Sequence, residues 1–583
     1  MASVTLTIDN ITVEVQEGST ILDAAKVAGI KIPTLCAMPE INHTPGVCRV
    51  CIVEVEGLQA FAAACVYPVR DGMVVWTNSE PVRRARRFNV ELILANHPQE
   101  CTTCVRSGNC ELQQVAEMVG VKEIRFPRTV FPETGMIDRS GPAIVRDIRK
   151  CINCRRCVTV CEAIQTVSVL TPAWRGDDVR IIPALDLPLG ETNCVNCGQC
   201  VLVCPVGALY EKDDIDRVWE VLQDPAKHVV VQEAPAVRAA LGEEFGMPVG
   251  SLVTGKMLAA LRRLGFDRVF DTNFSADLTI MEEGSELLKR VREGGSLPMI
   301  TSCSPGWIKF CEHFYPDLLD HVSTCKSPQQ MLGPIIKTFY AEQAGIDAED
   351  IVVVSIMPCT AKKYECLRPE MNASGYQDVD IVLTTRELAR MIKQAGIDFL
   401  NLPDGVYDDP LGEYTGAGTI FGATGGVMEA ALRTVYFIVT GEELGDLNIT
   451  PVRGLDGVKD AALTVGELGE VRVAVAHGLG NARKLLDQIR AGHSPYTFIE
   501  IMACVGGCVS GGGQPIPPSD EKRRLRAQAL YKDDAEVQQY RQSHQNRSVQ
   551  KLYEMFLKEP LGHKSHELLH THYTKRGGEI PHR

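Results

Sequence analysis

No run of about 18 apolar residues occurs anywhere in this 583-residue chain, so no membrane-crossing helix is expected. Its opening residues, MASVTLTIDN, lack the basic stretch running into an apolar one that marks an export signal. Basic charge is in deficit: 60 Lys and Arg against 74 Asp and Glu leave a formal charge of −14. That balance argues against nucleic acid and anionic membrane surfaces as partners. Nucleotide motifs are missing too. The Gly-rich stretch GAGTIFGATGGVMEAALRTV at 416–435 is neither GxGxxG nor GxxxxGKS/T, and no nicotinamide or flavin motif is found elsewhere. Its glycines read instead as places where backbone approaches a cavity. With 45% hydrophobic and 23% charged residues the chain is globular in composition and too long for one core, so three to five domains are expected, in a cytoplasmic protein.

What the sequence has in excess is cysteine: 22 residues, fifteen of them before position 205. Without an export signal, CxxC spacings at this density point to metal rather than disulfides. Residues 4–15, VTLTIDNITVEV, alternate apolar and polar across Asp9-Asn10 and predict a β-hairpin. GSTILDAAKVAGI then predicts a helix capped by Ser19 or Thr20 and ended by Gly29. Cys36, Cys48, Cys51 and Cys65 follow in the spacing C-x11-C-x2-C-x13-C, which resembles the plant-type [2Fe–2S] pattern. Zinc is the competing metal for four thiolates, and the β-grasp-like start favours iron–sulfur. A helix is predicted from about Ser79, with Pro81 in its first turn and its arginine pairs on a solvated face. It leads to HPQECTTCVRSGNC, where His97, Cys101, Cys104 and Cys110 can close a four-ligand site; the set alone suits zinc, while its place between two cluster modules favours a His-ligated [4Fe–4S] cluster.

The strongest pattern is a pair of C-x2-C-x2-C-x3-C runs, CINCRRCVTVC and CVNCGQCVLVCP. This is the bacterial two-cluster ferredoxin spacing, in which the fourth cysteine of each run serves the other cluster. One cubane therefore takes Cys151, Cys154, Cys157 and Cys204, the other Cys194, Cys197, Cys200 and Cys161. Four clusters in one chain imply electron transport. Beyond residue 215 the pattern becomes α/β, with HVVVQEAP and DIVVVSIMPC as buried strands feeding loops. Of the seven remaining cysteines, Cys303, Cys359, Cys504 and Cys508 sit in Gly- or Pro-bearing loops, whereas Cys311, Cys325 and Cys366 read as buried core thiols in helices or at their ends. The stretch TSCSPGWIKF around Cys303 is expected to be neither regular helix nor strand.

TSCSPGW, MPCTAKKYE and EIMACVGGCVSGGGQP, together with the order of the cluster modules, resemble the [FeFe]-hydrogenases, which interconvert H2 with protons and electrons. The likeness covers nearly the whole chain. It implies an H-cluster, a [4Fe–4S] cubane joined through a cysteine sulfur to a two-iron site with CO, CN and an azadithiolate bridge. By the same resemblance Cys359, Cys504 and Cys508 are cubane ligands, with Cys508 bridging, and Lys362 donates to a cyanide. Ala234, Pro235 and Ala236 match the cavity wall near the other cyanide; Met357 and Met502 match thioethers packed around the site; Gln329 and Phe421 match its lining. Glu283 and Glu286, at i and i+3 on one helix face, match a proton path with Cys303, Ser323 and, near the surface, Arg290. A partly buried carboxyl there should have a raised pKa.

One departure stands out. The family loop reads TSCCPGW, a relay thiol followed by a cubane ligand, and here Ser304 occupies the second position. Either Cys303 ligates and Ser304 relays, or Ser304 ligates; because alkoxide is a poorer donor to iron, Cys303 is favoured as ligand. The implied partners are ferredoxin and/or flavin- and NAD(P)-binding subunits, and maturation proteins for the two-iron site. The rival function is a non-catalytic iron–sulfur wire or assembly scaffold.

The predicted architecture is multidomain α+β and α/β. It comprises a β-grasp plant-type ferredoxin domain (1–78), a His/Cys3 cluster domain (79–140), a two-[4Fe–4S] ferredoxin domain (141–215), an α/β catalytic domain (216–518) and a helical, small-subunit-like C-terminal segment (519–583). In that last segment RQSHQNRSVQKLYEMFL predicts an amphipathic helix, and HKSHELLHTHY is His-rich, with a tail packed on the catalytic domain more plausible than a metal site.

Overall fold

A computed structural model describes residues 2–129 and 135–577, so the end of the predicted C-terminal segment and 130–134 of the second predicted domain lie outside the described residues. The chain divides into two compact units, one of residues 1–164, 168–192 and 203–210, the other of 165–167, 193–202 and 211–583. Among the described residues no helix is long and apolar enough to cross a membrane.

The first unit begins with the hairpin β1 (Ser3–Ile8) and β2 (Ile11–Gln16). Asp9 and Asn10 both take positive φ, the conformation a two-residue hairpin turn needs and one that Asp and Asn tolerate. Helix α1 (Ile21–Val27) starts at a reciprocal cap: Thr20 Oγ1 accepts from Asp23 N at 3.2 Å and Asp23 accepts from Thr20 N at 3.1 Å. It buries Ile21, Leu22, Ala24 and Ala25 against Leu6, Ile8, Val53 and Val75. Each of the Ile and Leu side chains so removed from water contributes about 1.5–3 kcal/mol. Strands β3 (Ile52–Val55), β4 (Ala62–Ala63) and β5 (Val74–Trp76) complete a sheet ordered β2-β1-β5-β3-β4. Helix α2 (Glu80–Ala95) is capped by Ser79 and fastened to the sheet by buried Arg86, which donates to Ile52 O at 3.0 and 2.7 Å. Arg83, Arg84 and Arg87 face solvent.

Among its described residues the second unit holds eight strands: β6 (His228–Glu233), β7 (Arg268–Asp271), β8 (Met299–Ile300), β9 (Ile351–Met357), β10 (Ile381–Thr384), β11 (Val458–Thr464), β12 (Glu470–His477) and β13 (Phe498–Met502). They form two four-stranded sheets. One is parallel throughout, ordered β7-β6-β9-β10; the other is β8-β13-β12-β11, antiparallel only at β11–β12. The near-continuous apolar run of β9, IVVVSIM, is buried almost throughout, as a strand covered on both faces requires. Helices important to the site are α3 (Pro235–Arg238), α4 (Thr272–Glu293), α5 (Pro305–Phe314), α6 (Pro328–Ile335), α7 (Ala361–Glu365), α8 (Gly426–Thr440) and α9 (His563–Leu569).

Two local expectations need correction. TSCSPGWIKF is helical from Pro305: proline at the first helical position has no N–H to waste and its φ is already helical, so it starts a helix here. Residues 416–420 of the Gly-rich stretch form a short helix, and Gly425, with φ +89°, caps α8 where a Cβ would collide with Val452 O. In RQSHQNRSVQKLYEMFL the helix starts only at Arg547, because the Asn546 side chain accepts from Ser548 N and Val549 N at 3.0 and 3.1 Å. Val549, Leu552 and Phe556 then join the same hydrophobic core as β6 and β9.

Candidate metal centres and proton path

In the first unit Cys36, Cys51 and Cys65 are buried and Cys48 half-buried. Cys36 lies within hydrogen-bond reach of Cys48 and Cys65, and Cys51 of Cys65. Hydrogen bonds from Cys48 and Cys65 pull the Cys36 pKa far down, while the same contact pushes Cys65 up. Four thiols so crowded cannot all ionise without a cation among them, which is the donor set an iron–sulfur cluster takes.

His97 shares a pocket with Cys101, Cys104 and Cys110. Burial drives its pKa down to about 4, so the imidazole is neutral, and its Nδ1 is buried with no hydrogen-bond partner. An orphaned neutral nitrogen beside three thiols fits a fourth metal ligand. Gly207 stands where a Cβ would sit 2.8 Å from Cys104 Sγ.

Cys151, Cys154 and Cys157 line a second enclosed pocket together with Cys204, amid Ile148, Leu170, Ile181 and Val206. Burial pushes the Cys151 thiol up to about 11. Asn153 and Arg155 in the first run have positive φ, as do Asn196 and Gly198 at the same places in the second. The repeated conformation turns backbone N–H groups inward, and Asn153 N donates to Cys151 Sγ at 3.4 Å. Cys161 belongs to the first unit and Cys194, Cys197 and Cys200 to the second.

The second unit brings together four loops, each leaving the C-terminal end of a parallel strand, where α/β sheets place their sites. After β6 come Ala234, Pro235 and Ala236; after β8, Cys303 and Ser304; after β9, Cys359; after β13, Cys504 and Cys508. Ala234 N donates to Ile356 O at 3.0 Å, and Gly513 N to Pro358 O at 2.7 Å. The run of glycines exists because backbone passes so close: a Cβ on Gly511 would strike Pro358 O. Cys504 has Cys359, Cys197 and Cys508 as electrostatic neighbours, and Cys508 has Cys359 and Lys362. Burial raises the Cys359, Cys504 and Cys508 thiols, Cys508 to about 12, so a metal must displace their protons. Met357, Met502 and Phe421 are buried at strand ends and beside the 416–420 helix.

Lys362 is held on three sides, donating to Ser327 Oγ at 2.7 Å, Glu365 Oε2 at 2.8 Å and Cys303 O at 3.2 Å. Gln329 is committed to the same scaffold: its amide donates to Glu365 at 3.1 Å and accepts from Ser355 at 2.9 Å. Neither Ser327 nor Glu365 was singled out from sequence, although Glu365 closes MPCTAKKYE. Glu500 was missed too. It is buried, accepts from Gly425 N at 2.7 Å and Met428 N at 2.8 Å, and so pins the start of α8.

Cys303 and Ser304 part company. The Cys303 thiol has Glu283 and then Cys508 as its main charged neighbours, and burial pushes it well above its usual range. The Ser304 hydroxyl instead accepts from Ala503 N at 3.2 Å, next to Cys504. Behind Cys303, Glu283 lies fully buried on α4 with its pKa raised to about 8, first by burial and then by Glu286. Ser323 is a hydrogen-bond partner of Glu283 and donates to Glu286 Oε2 at 2.8 Å. Arg290 closes the row, donating to Glu286 Oε1 at 2.6 Å and to Val322 O at 2.9 Å. Cys325 was expected in a helix or at its end; it lies in irregular chain, paired with His570 by an isolated β-bridge.

Five family models match the chain in order. They are a 2Fe-2S iron-sulfur cluster binding domain (1–80), the NADH-ubiquinone oxidoreductase-G iron-sulfur binding region (86–125), a 4Fe-4S dicluster domain (150–208), the C-terminal domain of the iron only hydrogenase large subunit (227–512) and the iron hydrogenase small subunit (520–576). The chain is 54% identical to the NADP-reducing hydrogenase subunit HndD of Solidesulfovibrio fructosivorans, over 99% of its own length and 100% of the relative. To Iron hydrogenase 1 of Clostridium pasteurianum it is 42% identical, over 98% and 100%. A solved variant of [FeFe]-hydrogenase HydA1 from Chlamydomonas reinhardtii, 45% identical, matches 63% of this chain and 100% of its own with a TM-score of 0.57.

Proposed function

The chain belongs to the [FeFe]-hydrogenases, enzymes that interconvert H2 with protons and electrons, and from that premise we propose how its residues divide the work. Identity over the full length of hydrogenase relatives is what favours an enzyme over a scaffold. The five segments predicted from sequence, 1–78, 79–140, 141–215, 216–518 and 519–583, are read as its working modules.

Bound in the second unit, the H-cluster supplies the iron at which H2 is split or formed. Cys359, Cys504 and Cys508 would hold its cubane, with Lys362 and the Ala234–Ala236 turn facing the cyanide-bearing half. For the fourth corner the geometry supports the reverse of the sequence-based preference: Ser304, beside Ala503, takes the ligand place, and Cys303, facing Glu283, carries the proton. The observation that carries this reading is the row Cys303, Glu283, Ser323, Glu286, Arg290. From Glu283 on, each member has the next as hydrogen-bond partner, and Glu283 is the charged group that acts most strongly on the Cys303 thiol. A carboxyl raised to about 8 is still loaded at neutral pH yet can release its proton, as a relay must.

Electrons would leave through a [4Fe–4S] cluster on Cys151, Cys154, Cys157 and Cys204, a His97-ligated [4Fe–4S] cluster and a [2Fe–2S] cluster. The reading of Cys161, Cys194, Cys197 and Cys200 as a fourth ligand set rests on spacing. Likeness to an NADP-reducing hydrogenase subunit supports a cytoplasmic protein that passes electrons to a flavin- and NAD(P)-binding subunit, with ferredoxin as the other acceptor. Maturation proteins would install the two-iron site.

The test is an infrared spectrum of matured protein. Sharp CO and CN bands that shift under H2 are expected; iron–sulfur absorption without such bands in matured protein would refute the enzyme reading.

A further inference from the structure

Beside the proton row, three side chains that suit a metal converge from separate parts of the chain. Glu286 on α4, Cys325 before α6 and His570 after α9 are all buried, and their donor atoms lie within 4.8 Å of one another. Cys325 Sγ is 3.7 Å from Glu286 Oε2. Arg290 is drawn to the other carboxylate oxygen, Oε1, so Oε2 is the one turned toward the cysteine.

The backbone holds the cluster in place. Cys325 and His570 pair in an isolated β-bridge, flanked by Lys326 N to Leu569 O at 2.8 Å and Thr571 N to Thr324 O at 2.7 Å. The imidazole is oriented by two side chains, with Nδ1 2.8 Å from Thr324 Oγ1 and Nε2 3.2 Å from Glu282 Oε2. A carboxylate on a histidine nitrogen is the arrangement that orients ligand histidines and makes them more basic. The field also favours a cation: after burial, it is Glu286, Glu283 and Glu282 that hold the Cys325 thiol protonated. His566 is exposed and stacks on His570 with ring centres 4.6 Å apart.

We propose that Glu286, Cys325 and His570 form a binding site for a divalent cation of the zinc class, and that its occupation shuts the proton path. One thiolate, one imidazole and one carboxylate are a borderline-soft donor set that suits zinc rather than magnesium or calcium. Binding puts the cation on His570 Nδ1 in place of its hydrogen bond with Thr324 Oγ1, with Nε2 still held by Glu282, and releases the Cys325 proton, and that of Glu286 when it carries one, to solvent; no electrons move. Once Oε2 is bound to the cation it no longer accepts from Ser323 and cannot be reprotonated, so the row is cut between Ser323 and Arg290. The site itself needs only the three ligands; the shut-off rests on the proton path proposed above.

The experiment uses desalted, matured holoenzyme given one equivalent of zinc chloride. Zinc K-edge absorption should show one sulfur at about 2.3 Å with nitrogen and oxygen at about 2.0–2.1 Å. The sulfur contact should vanish in Cys325→Ala. H2 evolution should stop with zinc and return with EDTA, and Cys325→Ala or His570→Gln should need about 10- to 100-fold more zinc, each judged against its own zinc-free rate. Zinc without sulfur, or equal zinc sensitivity in wild type and Cys325→Ala, overturns the site. A Cys325-dependent zinc–sulfur contact with undiminished turnover keeps the site and overturns both the shut-off and the proton row it interrupts.

Discussion

Glu283→Gln tests the proton row at its least replaceable member. The amide keeps the shape of the side chain and can still bond Ser323, but it has no proton to pass on. Removing one positioned acid–base group costs about 10²- to 10⁴-fold in rate, equivalent to about 3–5 kcal/mol of barrier. The same substitution has a measurable effect on the fold. Burial and Glu286 raise the Glu283 pKa from 4.5 to about 8, a difference worth about 5 kcal/mol. A raised carboxyl favours the folded state below its ordinary pKa, and that contribution is lost as pH climbs through the folded value. Wild type should therefore lose stability between about pH 4.5 and pH 8 relative to the variant, which has nothing to ionise there. The assays are H2 evolution from reduced viologen, the CO and CN infrared bands, and unfolding at the two ends of that pH range. Turnover within about threefold of wild type would refute the relay, since a lost acid–base step should far exceed it. A rate loss accompanied by loss of the bands would show that Glu283 holds the cluster site together instead.

Cys303→Ala should keep the cubane iron and lose turnover, whereas Ser304→Ala should lose cubane iron or shift its paramagnetic signal; iron counting and EPR decide, and the opposite pattern returns Cys303 to the ligand place. His97→Cys replaces a neutral donor by an anionic one and should lower the reduction potential of its cluster in an EPR-monitored redox titration; an unmoved potential would remove His97 from the ligand set. Arg290→Met takes away the cation paired with the buried Glu286 carboxylate, leaving it only neutral donors, and should cost about 3–5 kcal/mol, seen as a lower unfolding temperature of the holoenzyme.

Much of this was legible because it is local. The Asp9-Asn10 turn, the Thr20 cap and the start of α2 at Ser79 each depend on a few adjacent residues. Cysteine spacing is likewise local, and helical period sets Glu283 and Glu286 on one face, while their place in a proton path came only from the family resemblance. What escaped reading is contact across sequence. Ser327 and Glu365 matter only because folding brings both to the Lys362 ammonium, and Glu500 only because the start of α8 lands on it. Cys325 looked like filler in its own segment, and nothing near it announces His570, far along the chain. Pro305 misled for a different reason: proline ends helices from within yet begins them readily, and which applies depends on the strand before it.

The Ser323 hydroxyl touches both Glu283 and Glu286 but has a single hydrogen to give. It can point that hydrogen at one carboxyl or the other, never at both, so in the proposed relay the row would act as a turnstile rather than an open corridor. Charge would pass in single steps, with the hydroxyl swinging back between them. A proton waiting on the inner carboxyl would thereby be kept from running out while the outer one is still occupied.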